Sequence, residues 1–183
     1  MAEAHSDPLP FYFLLLPFTF LLSLFSFTIS LAMNPKQVTV RPLRETDLDE
    51  WLRLRKLLWD GIGDDDHKSE MVDILDHYES QFVLFAESSS GRLVGLLEAS
   101  IRPYVEDCET DHVGYLEGWY VEPEFRKQGI GRELVRQAEA WAGERGCTEM
   151  ASDAEIGNDL SLEAHLNLGY KETSRLVHLR KEL

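Results

Sequence analysis

Residues 113–134 read VGYLEGWYVEPEFRKQGIGREL, a strand, a glycine-rich turn and the start of a long helix in direct succession. The run Val113–Val121 is rich in β-branched and aromatic residues, which predicts a strand, and Pro123 stops it. Beyond Gly129, apolar residues recur at the spacing of one helix face, and Gly146 ends that helix. A strand joined to a helix by a short turn is typical of an α/β domain.

The turn between this strand and helix has the chemistry of a phosphate-binding site. It reads Arg126-Lys127-Gln128-Gly129-Ile130-Gly131, and glycines at such a point let the backbone approach a ligand closely. The free amides of the helix N-terminus then bind phosphate oxygens. The turn lacks the Lys-Ser/Thr pair of a nucleotide P-loop and does not fit the Gly-x-Gly-x-x-Gly pattern of dinucleotide folds. It fits Arg/Gln-x-x-Gly-x-Gly/Ala, although ordinary turn chemistry also explains so short a motif.

The rest of the chain alternates strands and helices in an order that predicts an α/β domain with a mixed sheet. The turn Ser88–Arg92 separates two β-rich runs and predicts an antiparallel hairpin. The aspartates Asp64–Asp66 are expected in a loop. The predicted strands are Gln37–Arg41, Phe82–Glu87, Leu93–Ile101, Val113–Val121, Thr148–Asp153 and Tyr170–Leu179. The predicted helices run from Thr46 to near Gly61, around Met71–Tyr78, from Gly129 to Gly146 and from about Asn158 to Asn167.

The chain is strongly acidic, with 33 Asp and Glu against 18 Lys and Arg among 183 residues and a formal net charge of −15. This balance argues against a protein that follows nucleic-acid phosphates, since that function needs a basic face. It favours a cationic ligand, because an acidic cleft concentrates positive charge, although solubility alone also explains it. Cys108 and Cys147 have no metal-ligand spacing, so we expect free thiols and no metal site.

The first 32 residues differ in composition from the rest. The run Leu9–Leu31 is almost wholly apolar, and no charged residue lies between Asp7 and Lys36. A membrane anchor, a signal peptide or sequence upstream of a misplaced start codon would each explain it. The acidic Glu3 and Asp7 disfavour a signal peptide, and we favour a start at Met33. We expect a hydrophobic leader over 1–32, one domain over 33–183, and a cytoplasmic protein unless residues 9–31 anchor it in a membrane.

The glycine turn and a second motif resemble the GNAT acyltransferase superfamily. In that superfamily the turn holds the pyrophosphate of acetyl-coenzyme A (acetyl-CoA), and a short helix ends in Gly-Phe, here Leu168-Gly169-Tyr170. Longer blocks, from about Met33 to Arg180, are similar to the aminoglycoside 6'-N-acetyltransferases. These blocks are Ala99-Ser100-Ile101-Arg102, Tyr104, Tyr115–Val121, Gly146–Asp153 and the spacing of Asn158, Ser161 and His165 before Leu168-Gly169-Tyr170. The resemblance implies the GNAT fold, a mixed and mostly antiparallel sheet flanked by helices.

The resemblance also implies an activity, the transfer of acetyl from acetyl-CoA to the 6'-amino group of aminoglycoside antibiotics, which confers resistance. A protonated amine must lose a proton before it attacks the thioester, so the reaction needs a base. Asp153 and Glu117 match the family's carboxylates, and each is a candidate base and a candidate substrate ligand. Which of the two is the base stays open. His165 is a candidate acid for the departing thiolate, because an imidazole can carry and release a proton under physiological conditions.

The ligand contacts implied by the resemblance cover both substrates. Trp59 and Tyr104 match aromatic positions that line the aminoglycoside site. Family members are often dimers, so a homodimer is expected. The residues expected to contact acetyl-CoA are Trp119, Val121, Arg126, Lys127, Gln128, Gly129, Ile130, Gly131 and Asn158.

Each of these residues also has an ordinary structural explanation. Asp153 could end a strand in a turn, and Glu117 could form a cross-strand salt bridge. His165 could bond its own helix backbone, and Asn158 could be a helix N-cap. Trp59 and Tyr104 could simply pack.

Two other functions compete with aminoglycoside acetylation. One is a GNAT acetyltransferase that acts on another amine, a polyamine or a protein N-terminus. The other is a non-catalytic module that only binds acetyl-CoA. Turnover with an aminoglycoside would distinguish aminoglycoside acetylation from both of these alternatives.

Overall fold

A computed structural model describes residues 37–182 of the chain. The predicted leader lies outside these residues, so its boundary at Met33 stays a prediction. The strands are β1 Val38–Pro42, β2 Gln81–Ser88, β3 Leu93–Arg102, β4 Val113–Val121 and β5 Met150–Ser152. The α-helices are α1 Leu48–Leu58, α2 Asp64–Asp76, α3 Ile130–Glu144 and α4 Asp159–Leu166. No helix in this part of the chain is both long and apolar enough to cross a membrane.

The five strands form one sheet in the order β1-β2-β3-β4-β5. The first three pairings are antiparallel, and only β4 and β5 run parallel. A parallel neighbour needs a crossover connection, and α3 provides it between β4 and β5. The predicted α/β fold with a mixed, mostly antiparallel sheet is therefore confirmed.

Helices cover both faces of the sheet. Leu84 of β2 packs in a core with Leu134 and Ala138 of α3. Its neighbour Phe85 packs in a second core with Trp51 of α1 and Met71 of α2. Since successive strand residues point to opposite faces, α3 lies on one face and the α1–α2 pair on the other.

Two parts of the predicted secondary structure are wrong. The segment Tyr170–Leu179 is not a strand, although its residues alternate. Alternation gives a strand only where a neighbouring strand supplies hydrogen bonds, and no strand within residues 37–182 lies beside it. Asp64–Asp66 form the first turn of α2 and not a loop. Carboxylates are favoured there because they face the positive end of the helix dipole.

A buried polar cluster joins α1 to the middle of the sheet. Glu98 of β3 is only 3% exposed and accepts hydrogen bonds from Trp51 Nε1 at 2.5 Å and from Arg55 Nη1 at 2.6 Å. Arg55 also pairs with Glu70 of α2 and donates to His67 Nδ1 at 3.4 Å. Burial raises the pKa of Glu98, while the charge of Arg55 and the Trp51 hydrogen bond oppose that rise. The cluster therefore needs all its partners, because either charge left alone would be costly.

We predict that Glu98→Gln lowers the free energy of unfolding by about 3 kcal/mol, because it leaves the buried Arg55 without its one buried countercharge among the described residues. Urea denaturation measures the loss. Glu124→Gln is the matched control, since its carboxylate lies 3.7 Å from Arg92 and both side chains are more than half exposed. That control should change stability by less than about 0.5 kcal/mol. Equal effects of the two variants would contradict a structural role for the buried pair.

Candidate active site

A β-bulge on β4 places Glu117. In the pairing of β3 with β4, Glu98 lies opposite Gly118 and Ala99 lies opposite Leu116, so Glu117 is an extra residue with no partner on β3. A bulge re-aims the side chain it carries and bends its strand. The Glu117 side chain therefore does not follow the usual alternation of side chains between the two faces of β4, and it is 30% exposed.

The sheet opens beside this bulge. β5 pairs with β4 only from Met150 to Ser152, and the last pair is Leu116 with Ser152. Ser152 Oγ also donates to the Leu116 carbonyl at 3.1 Å. Beyond this pair β5 has ended, while β4 continues to Val121 along β3. We call this gap the β4–β5 opening.

Asp153 lies at the mouth of the opening, immediately after the last residue of β5. Its side chain is exposed, and its carboxylate faces the hydroxyl of the buried Tyr115. Burial and the nearby Asp153 charge raise the pKa of Tyr115, so this phenol stays protonated at neutral pH. Glu117 bonds Arg102, and the Asp153 charge raises the pKa of both Arg102 and Tyr115, so the two predicted carboxylates lie near the same two side chains.

Glu117 is held by two residues of β3. Arg102 Nε donates to Glu117 Oε1 at 3.0 Å, and Arg102 Nη2 donates to Oε2. Ser100 donates its hydroxyl to Oε1. The cross-strand ion pair considered for Glu117 is thus present. No role was assigned to Ser100 and Arg102 from the sequence. Two polar residues at the end of an apolar strand do indicate that polar partners lie nearby, because polar groups in apolar surroundings need hydrogen bonds.

An aromatic wall stands next to Glu117. The Trp59 ring covers Gly118 so closely that a Cβ on that glycine would lie 2.5 Å from the ring. The guanidinium of Arg55 lies 4.7 Å from the centre of the same ring. Gly118 is thus required for the close approach of Trp59. The hydrogen bond between Arg55 and Glu98 holds the guanidinium that lies against the Trp59 ring.

The second predicted aromatic contact is separate from this wall. Tyr104 lies after β3 and is 69% exposed. It borders an open cavity of about 620 Å³ with Pro103, Cys108 and the polar residues 109–111. The structure does not show Tyr104 in contact with Trp59 or with either carboxylate.

The glycine turn presents open backbone amides. Lys127 and Gly129 adopt left-handed conformations, with φ of 59° and 84°, and Gly129 caps α3. The first amides of a helix have no acceptor within the helix. A Cβ built on Gly129 would have no atom of a non-neighbouring residue within 4 Å, so the surface at the start of α3 is open. The exposed Arg126, Lys127 and Gln128 flank it, and this arrangement fits a phosphate-bearing ligand.

Trp119 links the turn to the opening. A Cβ on Gly131 would lie 2.6 Å from its ring, so this second glycine allows α3 to pack against β4. On its other side the Trp119 ring meets the edge of His165, with ring centres 5.5 Å apart. Val121 ends the strand, and its carbonyl accepts a hydrogen bond from Arg126 Nε at 2.7 Å.

His165 on α4 is 9% exposed, and both ring nitrogens have protein neighbours. Nδ1 lies 2.8 Å from the Ser161 carbonyl and must donate, because a carbonyl only accepts. Nε2 lies 3.1 Å from Ser152 Oγ, at the end of β5. The backbone-bonded helix histidine considered from the sequence is thus present, and a role as acid stays a prediction.

Asn158 has the ordinary role considered for it. It is the N-cap of α4, and its side-chain oxygen accepts a hydrogen bond from the Ser161 amide at 3.1 Å. A contact with the cofactor stays a prediction. Within residues 37–182, no group of three or more His, Cys, Asp or Glu side chains is placed to hold a metal ion.

The fold and this geometry agree with comparisons to known proteins. Residues 48–170 match the family model "Acetyltransferase (GNAT) family", so the chain belongs to that family of acetyltransferases. A curated relative, aminoglycoside N(6')-acetyltransferase type 1 of Klebsiella aerogenes, is 43% identical over 146 residues, which cover 79% of this chain and 96% of the relative.

Solved structures give the same picture. The apo crystal structure of an aminoglycoside antibiotic 6'-N-acetyltransferase from Acinetobacter haemolyticus matches with a TM-score of 0.75 and 40% identity, covering 79% of this chain and 99% of that one. The structure of AAC(6')-Iy with the bisubstrate analogue CoA-S-monomethyl-acetylneamine has a TM-score of 0.75 and 36% identity, covering 80% and 99%. The resemblance inferred from the sequence blocks is confirmed.

Proposed function

We propose that this protein transfers the acetyl group of acetyl-CoA to the 6'-amino group of aminoglycoside antibiotics and thereby confers resistance to them. The acetyl group removes a positive charge and makes the amine an amide, so the drug loses a cationic contact with ribosomal RNA. The enzyme is an N-acetyltransferase, as are the relatives that share its fold and much of its sequence.

One structural observation carries this proposal. Glu117 and Asp153 converge beside the β4–β5 opening, next to a turn built for phosphate. A polycationic sugar needs several carboxylates, and a coenzyme A thioester needs a phosphate cradle and a gap between strands. The two requirements meet at one place in this fold.

The experiment that tests the function compares two acceptors. Kanamycin carries a 6'-amino group, and an analogue with a 6'-hydroxyl group does not. We expect acetylation of kanamycin alone, at the 6' position, established by the mass and structure of the product. Acetylation of a polyamine or of peptide N-termini without kanamycin turnover would favour another amine substrate, and no turnover of any amine would favour a binding module.

Acetyl-CoA fits the residues present as a co-substrate. When bound, its thioester supplies the activated acetyl carbon, the amine nitrogen forms the new bond there, and coenzyme A leaves as a thiolate that takes up one proton. The first-turn amides of α3 and the exposed Arg126 and Lys127 would hold the pyrophosphate. The opening between β4 and β5 leaves backbone groups of β4 beyond Leu116 without a parallel partner, and these would receive the thioester arm.

We assign the base to Asp153. Both oxygens of Glu117 already accept hydrogen bonds from Arg102 and Ser100, which leaves it little capacity to take a proton. Asp153 is exposed and is not held by an arginine in a hydrogen bond within the described residues. Glu117 then binds the substrate's ammonium group, and Trp59 borders that site through its contact with Gly118.

His165 is the proposed source of the proton for the thiolate. Its Nδ1 proton is engaged by the Ser161 carbonyl, so the transferred proton must be the Nε2 proton of the imidazolium form. Nε2 donates to Ser152 Oγ at 3.1 Å, and the Ser152 hydroxyl proton must turn from the Leu116 carbonyl to the thiolate. Ser152 is the last residue of β5 and borders the opening. A hydroxyl both donates and accepts, which lets it pass a proton on.

We predict that Asp153→Asn lowers kcat by about 10²–10⁴-fold, the usual contribution of a positioned base. Glu117→Gln should instead raise KM for tobramycin with a smaller effect on kcat, because it removes a cation ligand. Steady-state kinetics over a range of pH measures both. The exposed Asp73→Asn on α2 is the control and should match the wild type. Wild-type kcat and KM in both site variants would refute these assignments.

We predict that Gly129→Asn weakens coenzyme A binding by at least about 10-fold, because a side chain there fills the space before the α3 amides. Asparagine tolerates a left-handed backbone better than most residues, so the fold should persist. Gly146→Asn is a matched control, since Gly146 follows the same helix with φ of 89° and also has no protein atom within 4 Å of its built Cβ. Calorimetric titration with coenzyme A should separate the two, and equal affinities would mean that the turn is only structural.

We also propose that the enzyme works in the cytoplasm, where acetyl-CoA and the ribosome are available and thiols such as Cys108 and Cys147 stay reduced.

A homodimer is proposed from the exposed apolar side chains of the C-terminal segment. Leu176, Val177 and Leu179 are exposed by 54%, 78% and 92%, and the short strand β5 forms an edge of the sheet. A second copy that covers these side chains would remove an unfavourable apolar surface. Sedimentation equilibrium tests this, and a monomer at micromolar concentration would contradict it.

A further inference from the structure

The guanidinium of Arg102 occupies the place where a substrate ammonium group would bind Glu117. Arg102 Nε bonds Oε1 at 3.0 Å and Nη2 bonds Oε2, so both oxygens of the carboxylate are taken by one side chain. Ser100 adds a third donor on Oε1. An ammonium group that binds Glu117 needs the same carboxylate, where three donors already occupy most of the acceptor positions, so it competes with the guanidinium.

Arg102 also lies near the second carboxylate of the site, since the charge of Asp153 helps to raise the pKa of Arg102. Its guanidinium carbon stacks 3.4 Å from the centre of the Tyr115 ring, whose hydroxyl faces Asp153. Burial opposes the charge of Arg102, but the hydrogen bonds to Glu117 and the nearby carboxylates raise its pKa overall. Its positive charge therefore stands in for a cationic ligand when none is bound.

The pair is held loosely enough to open. The side chains of Arg102 and Glu117 are 40% and 30% exposed, whereas those of the buried pair Arg55 and Glu98 are 3% and 4% exposed. Separating an exposed ion pair costs little free energy, because water solvates both partners once they separate. The Arg102 head can thus leave Glu117 for solvent without stranding a buried charge, which Arg55 cannot do.

We propose that Arg102 is an internal competitor of the substrate's ammonium group for Glu117. In the free enzyme it neutralises Glu117 beside Asp153, and the cationic substrate must displace it to bind. A ligand that offers a neutral hydroxyl in place of the ammonium does not displace the guanidinium, so Arg102 weakens the binding of charged amines more than that of their hydroxyl analogues. This inference rests on the proposed function, because it takes the ligand of Glu117 to be the amine that is acetylated.

The test is the dissociation constant of tobramycin for Arg102→Gln, measured by calorimetry at fixed salt. We expect it to fall by about 2- to 5-fold, the range that an exposed ion pair would contribute. Arg136→Gln, which removes the same charge from an exposed pair on α3, should leave the constant unchanged. Arg102→Lys keeps the charge but loses the bidentate geometry, so it should give part of the gain and carries the test if Arg102→Gln does not fold.

Two further measurements separate competition from a general change of charge. The gain should be absent in a Glu117→Gln background, and it should be larger for kanamycin than for its 6'-hydroxyl analogue. Unchanged or weaker tobramycin binding by Arg102→Gln would overturn the proposal, as would an equal gain for both kanamycin analogues. Wild-type turnover at the 6'-amine is measured separately, so failure of the proposed function is distinguished from failure of the competition.

Discussion

The bulge at Glu117 is the constraint on which the rest of this site depends. One extra residue on β4, opposite the Glu98–Ala99 step of β3, directs a carboxylate out of the regular alternation of the strand. One residue earlier, at Leu116, the pairing of β4 with the short β5 ends. Two irregularities at the same level of the sheet therefore produce both the opening and the acid beside it, and Asp153 completes the pair simply by following the last residue of β5.

The buried polar cluster lies behind this bulge and fixes the side of the site that α1 provides. Glu98 pairs with Gly118 at the bulge and holds Trp51 and Arg55 of α1. Arg55 in turn lies against the ring of Trp59, which rests on Gly118. A well-packed apolar cluster would stabilise the same contact at least as well, since desolvated ion pairs are weak stabilisers. What the charged cluster adds is a fixed orientation of α1 on the sheet. The hydrogen bonds to Glu98 set the positions of Trp51 and Arg55, and Arg55 lies against the Trp59 ring.

The sequence was sufficient for the elements that carry strong local patterns. The strand Val113–Val121, the glycine turn and α3 follow from β-rich composition, Pro123, helical spacing and two glycines, and the turn's chemistry follows from helix-end amides. The pairing of Glu117 with Arg102 was weighed only as an unspecified salt bridge, because a bulge is a property of two paired strands and leaves no mark on one. Tyr170–Leu179 failed for a related reason: its alternation resembles that of a strand, but a strand also requires a neighbour.

The two carboxylates differ in what they can do because the backbone places them differently. Glu117 projects from a bulge between strands, where Ser100 and Arg102 of β3 donate three hydrogen bonds to its oxygens. Asp153 follows a strand end, where its charge lies near Tyr115 but solvent reaches its side chain. An amine that must be bound as a cation and attack as a neutral base needs one acid of each kind, one to attract charge and one to accept a proton. The proposed division of roles between two chemically similar residues thus follows from where β4 bulges and where β5 stops.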